Sequence, residues 1–257
     1  MLILAASLLA SPQGLHRDLT RLGHVCDVAT PFCETASIAQ FSGPYDAIVL
    51  QANDNAAEAI AVLREIRGRG LRVPVVILAS RLRVEEEQAA FNHGADDVLT
   101  MPVSTQLLVV RLQAIQRRVL GHASAVLNCG NVTLDQAQRH VMVDGRHVRL
   151  TAREFEVLET LMLRPGMLLT KEQFMSRAYG LNEGPNVRVL DVFVCKLRRK
   201  LAAAGAAEIV RTVWGSGYVL REPAEADVAQ ARQRFFAGQP RQRRAHLLPE
   251  AFAAAVA

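Results

Sequence analysis

Along residues 1–118, short and nearly continuous apolar runs alternate with longer runs whose apolar positions recur every three or four residues. The short runs Leu2–Ser7, His24–Thr30, Tyr45–Gln51, Val73–Ser80 and Asp97–Val103 predict strands. The longer runs Pro12–Leu22, Phe32–Phe41, Asn55–Arg69, Val84–His93 and Ser104–Arg118 predict helices. Five such units, with strands apolar on both sides, predict a parallel sheet covered by helices on both faces. The expected order is 2-1-3-4-5, an α/β doubly wound domain whose functional site lies outside the carboxyl ends of its strands.

The pattern changes after a short linker at 119–124. The runs V-L-N-C-G-N-V-T-L-D and H-V-M-V-D-G-R-H-V-R-L predict four short strands, with Asp144-Gly145 as a tight hairpin turn. Thr151 followed three residues later by Glu154 is a capping box. It opens a helix over Ala152–Arg164 with Phe155, Leu158, Leu161 and Met162 inward, stopped by Pro165-Gly166. Thr170 caps a second helix, Lys171–Tyr179, and 180–185 is a loop.

A basic amphipathic helix follows, N-V-R-V-L-D-V-F-V-C-K-L-R-R-K-L. Leu190, Val194, Leu197 and Leu201 share one face; Arg188, Val192, Cys195, Lys196 and Arg199 lie opposite. The apolar stripe pins such a helix to a body. The basic face suits a phosphate-lined groove, because Lys and Arg neutralise phosphates and release condensed counterions. Ile209–Thr212, a break at Gly215 and Gly217, and the run from Tyr218 predict a β-hairpin. Basic helix plus hairpin is the outline of an α+β winged helix-turn-helix.

Charge supports that division. The 257-residue chain carries a net +5. Residues 1–118 hold 11 basic and 12 acidic side chains, 119–220 hold 13 and 9, and the segment from Arg221 holds 6 and 4. The positive excess therefore belongs to the second half, where nucleic acid is the expected partner. Cys26, Cys33, Cys129 and Cys195 have no C-x-x-C spacing and read as free thiols of a cytoplasmic protein, with no metal or cofactor site. The opening M-L-I-L-A-A-S-L-L-A lacks the basic region of a signal peptide, and no run approaches the ~20 apolar residues of a membrane span.

P-Y-D-A-I-V-L-Q, V-P-V-V-I-L-A-S and G-A-D-D-V-L-T-M-P-V resemble the third, fourth and fifth strands of response-regulator receiver domains. The resemblance implies a phosphoacceptor Asp at Gln51, Mg²⁺-binding acids at Ser7 and Leu8, a switch hydroxyl at Ala79, its aromatic partner at Val98 and a lysine at Met101. None of those residues is present. A carboxamide forms no acyl phosphate, and Mg²⁺ takes hard oxygen ligands, preferably carboxylates. Asp54 lies three residues beyond Gln51 without those companions, and Ser80 is turned to the other face of its strand. The family's dimer face, built on the fourth helix, fifth strand and fifth helix, is matched by Asp96, Asp97 and Arg111, but not by Gln88, where a basic residue is usual.

L-T-A-R-E-F-E-V-L-E-T-L, D-V-F-V-C-K-L-R-R-K-L and T-V-W-G-S-G-Y, in that order, closely resemble the OmpR/PhoB-type effector domain over 125–220. The resemblance implies a recognition helix in the major groove and a hairpin on the neighbouring minor groove. It places Lys196 and Val189 at base edges, and Arg188, Arg198 and Arg199 on phosphates. Trp214 packs on sugar or on the domain, and Tyr218 either bonds a phosphate or fills the hairpin core. Phe193 and Cys195 replace polar or basic residues common there, and Asp191 orders the helix. The 180–185 loop corresponds to the part that meets RNA polymerase in activators.

Residues 221–257 read as a mostly disordered tail. Within it, Ala224–Phe236 has helical character, R-Q-R-R at 241–244 is basic, and A-F-A-A-A-V-A resembles bacterial protease recognition tails. The expected protein is a non-enzymatic, dimeric transcription regulator acting on tandem half-sites without phosphorylation, under an unknown protein or ligand. The alternative is a signalling adaptor working through the receiver-like domain. A thiol switch at Cys195, beside Lys196 on the DNA face, is a weaker further reading.

Overall fold

The computed structural model describes residues 1–8, 13–52, 54, 56–179 and 189–238. It divides into two compact units, one of residues 1–123 and 170–188, the other of 124–169 and 189–257.

The first unit carries strands β1 (Leu2–Ser7), β2 (Val25–Ala29), β3 (Ala47–Gln51), β4 (Val75–Ala79) and β5 (Asp97–Thr100). Its helices are α1 (Gln13–Arg21), α2 (Thr35–Phe41, after a 3₁₀ turn at Phe32–Glu34), α3 (Ala57–Gly68), α4 (Val84–Asn92) and α5 (Thr105–Val119). The sheet runs β2-β1-β3-β4-β5, all parallel, as the alternation of elements predicts. Side chains sort by the period of two. Leu2, Leu4, Ile48, Leu50 and Ile77 face the core shared with Ala36, Leu63 and Ala90 of α2, α3 and α4. Ile3, Ala5, Val49, Val76 and Leu78 face Leu19 of α1 and Leu108 and Leu112 of α5. Each fully buried Leu or Ile contributes ~1.5–3 kcal/mol of transfer free energy, before chain entropy is subtracted.

Strand β1 has the expected bounds, while β2 to β5 are shorter than their apolar runs because the flanking residues turn into loops. Asp46 precedes β3, and its carboxylate accepts the Leu2 N–H at 2.9 Å. Helix α7 (Lys171–Tyr179), which the sequence places with the effector domain, is grouped with this first unit; its Arg177 is ion-paired with Asp46.

The second unit opens with an antiparallel sheet of β6 (Val126–Cys129), β7 (Val132–Asp135), β8 (His140–Val143) and β9 (Arg146–His147). Asp144 (φ 48°) and Gly145 (φ 77°) make its tight turn in the left-handed region that this turn type requires. Helix α6 (Ala152–Met162) packs on α8 (Val189–Ala203), and β11 (Val210–Val213) and β12 (Gly217–Leu220) form the hairpin, whose β12 also pairs with the short strand β10 (Leu168–Thr170). The capping box is present. The Thr151 N–H donates to Glu154 at 2.8 Å, and the Thr151 hydroxyl accepts the Glu154 N–H at 3.4 Å. The same Glu154 carboxylate, almost fully buried, takes Lys200 Nζ of α8 at 2.6 Å. Burial alone would raise this carboxyl, but the Lys200 and Thr151 hydrogen bonds and the Lys200 charge hold it below the usual carboxylate range.

The expected disorder after Leu220 does not extend through the described residues: Glu225–Ala237 form a helix, α9. It docks by specific chemistry. Arg232 donates through Nε and one terminal nitrogen to Asp144 Oδ1 at 2.9 and 2.5 Å, while Asn131 donates to Asp144 Oδ2 at 2.9 Å. The Arg146 guanidinium lies 4.3 Å from the Phe235 ring centroid, a cation–π contact. Gly130 and Gly205 make room: a Cβ on Gly130 would sit 2.5 Å from Pro223, and one on Gly205 2.9 Å from Phe235. The sequence shows the helical periodicity of 224–236 but not these distant partners.

Glu154→Gln tests the link between α6 and α8, because glutamine keeps a capping acceptor and loses the charge. In urea at pH 7 the variant is expected to lose ~1–2 kcal/mol of stability, allowing for the partial exposure of Lys200. A carboxyl depressed in the folded state stabilises above its unfolded pKa of about 4 and stops doing so as pH falls through its folded value. The difference between wild type and variant should therefore be full near neutral pH and shrink as pH falls below that unfolded value.

Candidate nucleic-acid interface

Helix α8 presents two different faces. Leu190, Val194, Leu197 and Leu201 are buried, while Val192, Cys195, Lys196 and Arg199 are exposed. Two polar residues seven positions apart, Asp191 and Arg198, clasp the hairpin. The Tyr218 hydroxyl donates to Asp191 at 2.7 Å. Arg198 donates twice to the Val210 carbonyl, at 3.0 and 2.8 Å, and once to the Thr212 hydroxyl at 3.0 Å. Its guanidinium lies 5.6 Å from the Tyr218 ring centroid. Burial, together with the Asp191 hydrogen bond and charge, pushes the Tyr218 phenol up to about 12.

These contacts revise two expected roles. Arg198 is engaged with the hairpin backbone rather than held out for phosphate. Tyr218 is buried with its hydroxyl committed to Asp191, which favours the hairpin-core reading over the phosphate one. Lys196 and Arg199 are exposed on the outer face, and Val189 is half-buried at the start of the helix. Trp214, at the hairpin turn, is 92% exposed, so of its two readings the one that packs it on the domain is not what the structure shows. Arg188 and the 180–185 loop lie outside the described residues. Arg211, exposed on β11 and paired in register with Val219, is a basic residue of this surface that the helix pattern alone does not pick out.

In the first unit, register brings Ser7 beside Gln51 at the carboxyl ends of β1 and β3. Gln51 Nε2 donates to the Met101 thioether at 3.2 Å, and Met101 N–H donates to the Ala79 carbonyl at 2.8 Å. Leu8 follows β1, Ala79 ends β4, half-buried Val98 lies in β5, and Asp54 is exposed. Among the described residues no group of three or more His, Cys, Asp and Glu is placed to hold a metal ion. On the β5 side, Asp97 pairs with Arg111 at 2.8 Å. Asp96 is drawn inward instead: it takes Arg67 at 3.0 Å and the Val75 N–H at 2.9 Å, while Arg67 also binds the carbonyls of Leu71, Val73 and Gly94.

Residues 145–220 match the family described as transcriptional regulatory protein, C terminal. Over 180 residues the chain is 41% identical to the cell cycle response regulator CtrA of Brucella anthropi, covering 70% of this chain and 78% of that protein. It is 40% identical over 182 residues to the cell cycle transcriptional regulator CtrA of Caulobacter vibrioides, covering 70% and 79%. The chain belongs to the OmpR/PhoB-type response regulators. Among solved structures it is similar to the response regulator DrrB of Thermotoga maritima, an OmpR/PhoB homolog, at 20% identity over 86% of this chain and 99% of that one, with a TM-score of 0.38. As a response regulator of this type it joins a receiver-like α/β domain to a winged-helix DNA-binding domain. The family match ends at Leu220, so α9 lies beyond it.

The two kinds of arginine on this surface should separate by experiment. Arg198→Ala is expected to lower the thermal stability of the protein, since it removes three hydrogen bonds from the helix–hairpin junction. Arg199→Ala is expected to leave thermal unfolding within ~0.5 kcal/mol of wild type. Differential scanning calorimetry of both variants reads the difference.

Proposed function

We propose that the chain is a sequence-specific regulator of transcription that binds double-stranded DNA as a dimer on tandem half-sites, without phosphorylation of its receiver. The observation that carries the reading is the outer face of α8. Lys196 and Arg199 stand exposed on a helix whose opposite face is buried and whose flank is clasped to a hairpin. A helix held in that way presents its basic side as a rigid unit to the major groove. Lys196 donates to guanine as a point charge, Val189 meets a thymine methyl, and Arg188 and Arg199 take phosphates. Trp214 is a large apolar group left in water at the hairpin turn, suited to the sugar edge of the neighbouring minor groove.

The dimer reading is supported by the α4–β5–α5 side of the first unit. Val84 and Phe91 of α4 and Leu107 and Val110 of α5 are exposed, at 65%, 45%, 45% and 57%. Exposed apolar side chains around the Asp97–Arg111 pair suit a two-fold contact that uses one patch twice. Asp96 supports that face from within, through Arg67.

Independence from phosphate rests on the strand ends. Ser7, Leu8 and Gln51 do not fit a Mg²⁺ ion, since none is a carboxylate, and the Gln51 amide is turned to the sulfur of Met101. Control falls instead to abundance, turnover, a protein partner or a ligand. RNA polymerase contact is assigned to the 180–185 loop. The protein acts in the cytoplasm, and none of its described helices is long and apolar enough to cross a membrane.

Selection of genomic fragments by the purified, untreated chain at ~150 mM salt tests the DNA reading, because salt sets the electrostatic part of binding. A repeated motif is expected, and Lys196→Ala should weaken its binding by ~1–3 kcal/mol, about 5- to 150-fold. Failure of the wild type to enrich any motif would overturn sequence-specific binding. Incubation with acetyl phosphate and Mg²⁺ tests the second claim: intact mass and DNA affinity should both stay unchanged, and a stoichiometric gain of one phosphoryl group would overturn it.

A further inference from the structure

The sheet β6-β7-β8-β9 has an inner and an outer face, and the alternation of its strands assigns residues to each. Val141 and Val143 of β8 are buried, paired with Leu134 and Val132 of β7, which are buried too. His140 and Met142 therefore stand on the outer face, paired with Asp135 and Thr133. On the other side, β9 brings His147 opposite Met142. The Val148 N–H donates to the Val141 carbonyl at 2.8 Å, so the neighbouring Met142–His147 pair is the kind without mutual backbone bonds, which holds its side chains closest.

His140 lies diagonally across the same face from His147. Their rings meet edge to face, with centroids 4.9 Å apart and planes at 86°. Both residues are exposed, and among the described residues neither imidazole has a hydrogen-bond partner. Seven positions separate the two histidines in the run H-V-M-V-D-G-R-H, which has no zinc-motif spacing. The Asp144-Gly145 turn folds that run on itself and gathers two ring nitrogen donors and a thioether on one patch.

The donor set selects the ion. Among the described residues no third His, Cys, Asp or Glu completes a group around the two histidines. A tetrahedral Zn²⁺ site is built from more such ligands. Thioethers are soft donors that select Cu(I), and imidazole suits copper as well. Asp135 has one oxygen committed to the Ala137 and Gln138 N–H groups, so it offers charge to a cation from outside the ligand set. Exposed Arg149, two residues beyond His147, adds positive charge on the other side, which opposes a dication more than a monocation.

We propose that His140, Met142 and His147 form a Cu(I) site on the outer face of this sheet. The ion bridges β8 and β9 through two imidazole nitrogens and the Met142 sulfur. The same two strands carry Asp144 and Arg146 at their turn, where Arg232 and Phe235 of α9 dock, so the ion ties together the hairpin that holds α9.

The test uses the full chain with Cys33→Ser and Cys195→Ser, which removes the two exposed thiols that would bind Cu(I) on their own. This parent is titrated anaerobically with Cu(I), kept reduced by ascorbate, in competition with the chromophoric chelator bicinchoninate. One ion per chain is expected, with shifts in the ring nitrogen resonances of both histidines and in the Met142 methyl resonance. His140→Ala and His147→Ala should each weaken Cu(I) binding by at least the ~10- to 100-fold that loss of an outer-shell partner costs a metal site. Met142→Leu, which conserves volume, should weaken Cu(I) binding and leave the weaker binding of Zn²⁺ to the two imidazoles unchanged. Metal-free calorimetry should give the parent's unfolding temperature for all three variants, because the substituted side chains lie on the outer face. Failure of the parent to compete with the chelator, or retention of the ion at full affinity in His140→Ala or His147→Ala, overturns the site. Unchanged Cu(I) affinity in Met142→Leu overturns the thioether ligand and with it the choice of ion.

Discussion

Glu154 is the group on which the DNA-binding unit turns. A buried carboxylate is costly unless it is hydrogen-bonded, and here its Oε2 serves two helices at once. The Thr151 N–H bond caps the start of α6, and Lys200 brings in the last turns of α8. The constraint sets how α8 is rotated: with Lys200 turned toward α6, Leu197 and Leu201 are buried and Lys196 and Arg199 face outward. Asp191 and Arg198 then fix the hairpin to the flank of the helix. Interior polar bonds thus decide which cations remain outside.

The receiver-like unit shows the complementary case, in which apolar patterning and structural ion pairs carry the frame. Its strand order, its two cores and its loops are carried by apolar alternation and by structural ion pairs such as Arg67–Asp96. At the strand ends the Gln51 amide donates to the Met101 thioether at 3.2 Å.

The periodic elements were legible because burial imposes a period of two on strands and of 3.6 on helices. The five receiver strands, the capping box at Thr151 and Glu154, and the apolar stripe of α8 all follow from that rule. Strand ends were overextended where loop residues are as apolar as strand residues, as at Val73 and Val103. The roles of Arg198, Tyr218 and Asp96 were not legible, because an arginine that binds a carbonyl in its own chain and one that awaits a phosphate look alike in sequence. The partners that distinguish them lie 12 to 29 positions away. Helix α9 was visible as a periodicity, but Asp144, 88 positions upstream of Arg232, supplies its reason to dock.

The glycines under α9 carry a consequence for how this protein has to be divided. Gly130 and Gly205 are hollowed to receive Pro223 and Phe235, and the alanine run after α8 is shaped for a neighbour rather than for water. A piece trimmed at Leu220 would keep every residue of the family match and lose the cover over those surfaces, leaving Asp144 without Arg232. The folded unit of this chain therefore includes α9 and does not stop at the family boundary. A chimera that exchanges effector domains would transplant an intact fold only if it carried α9 along.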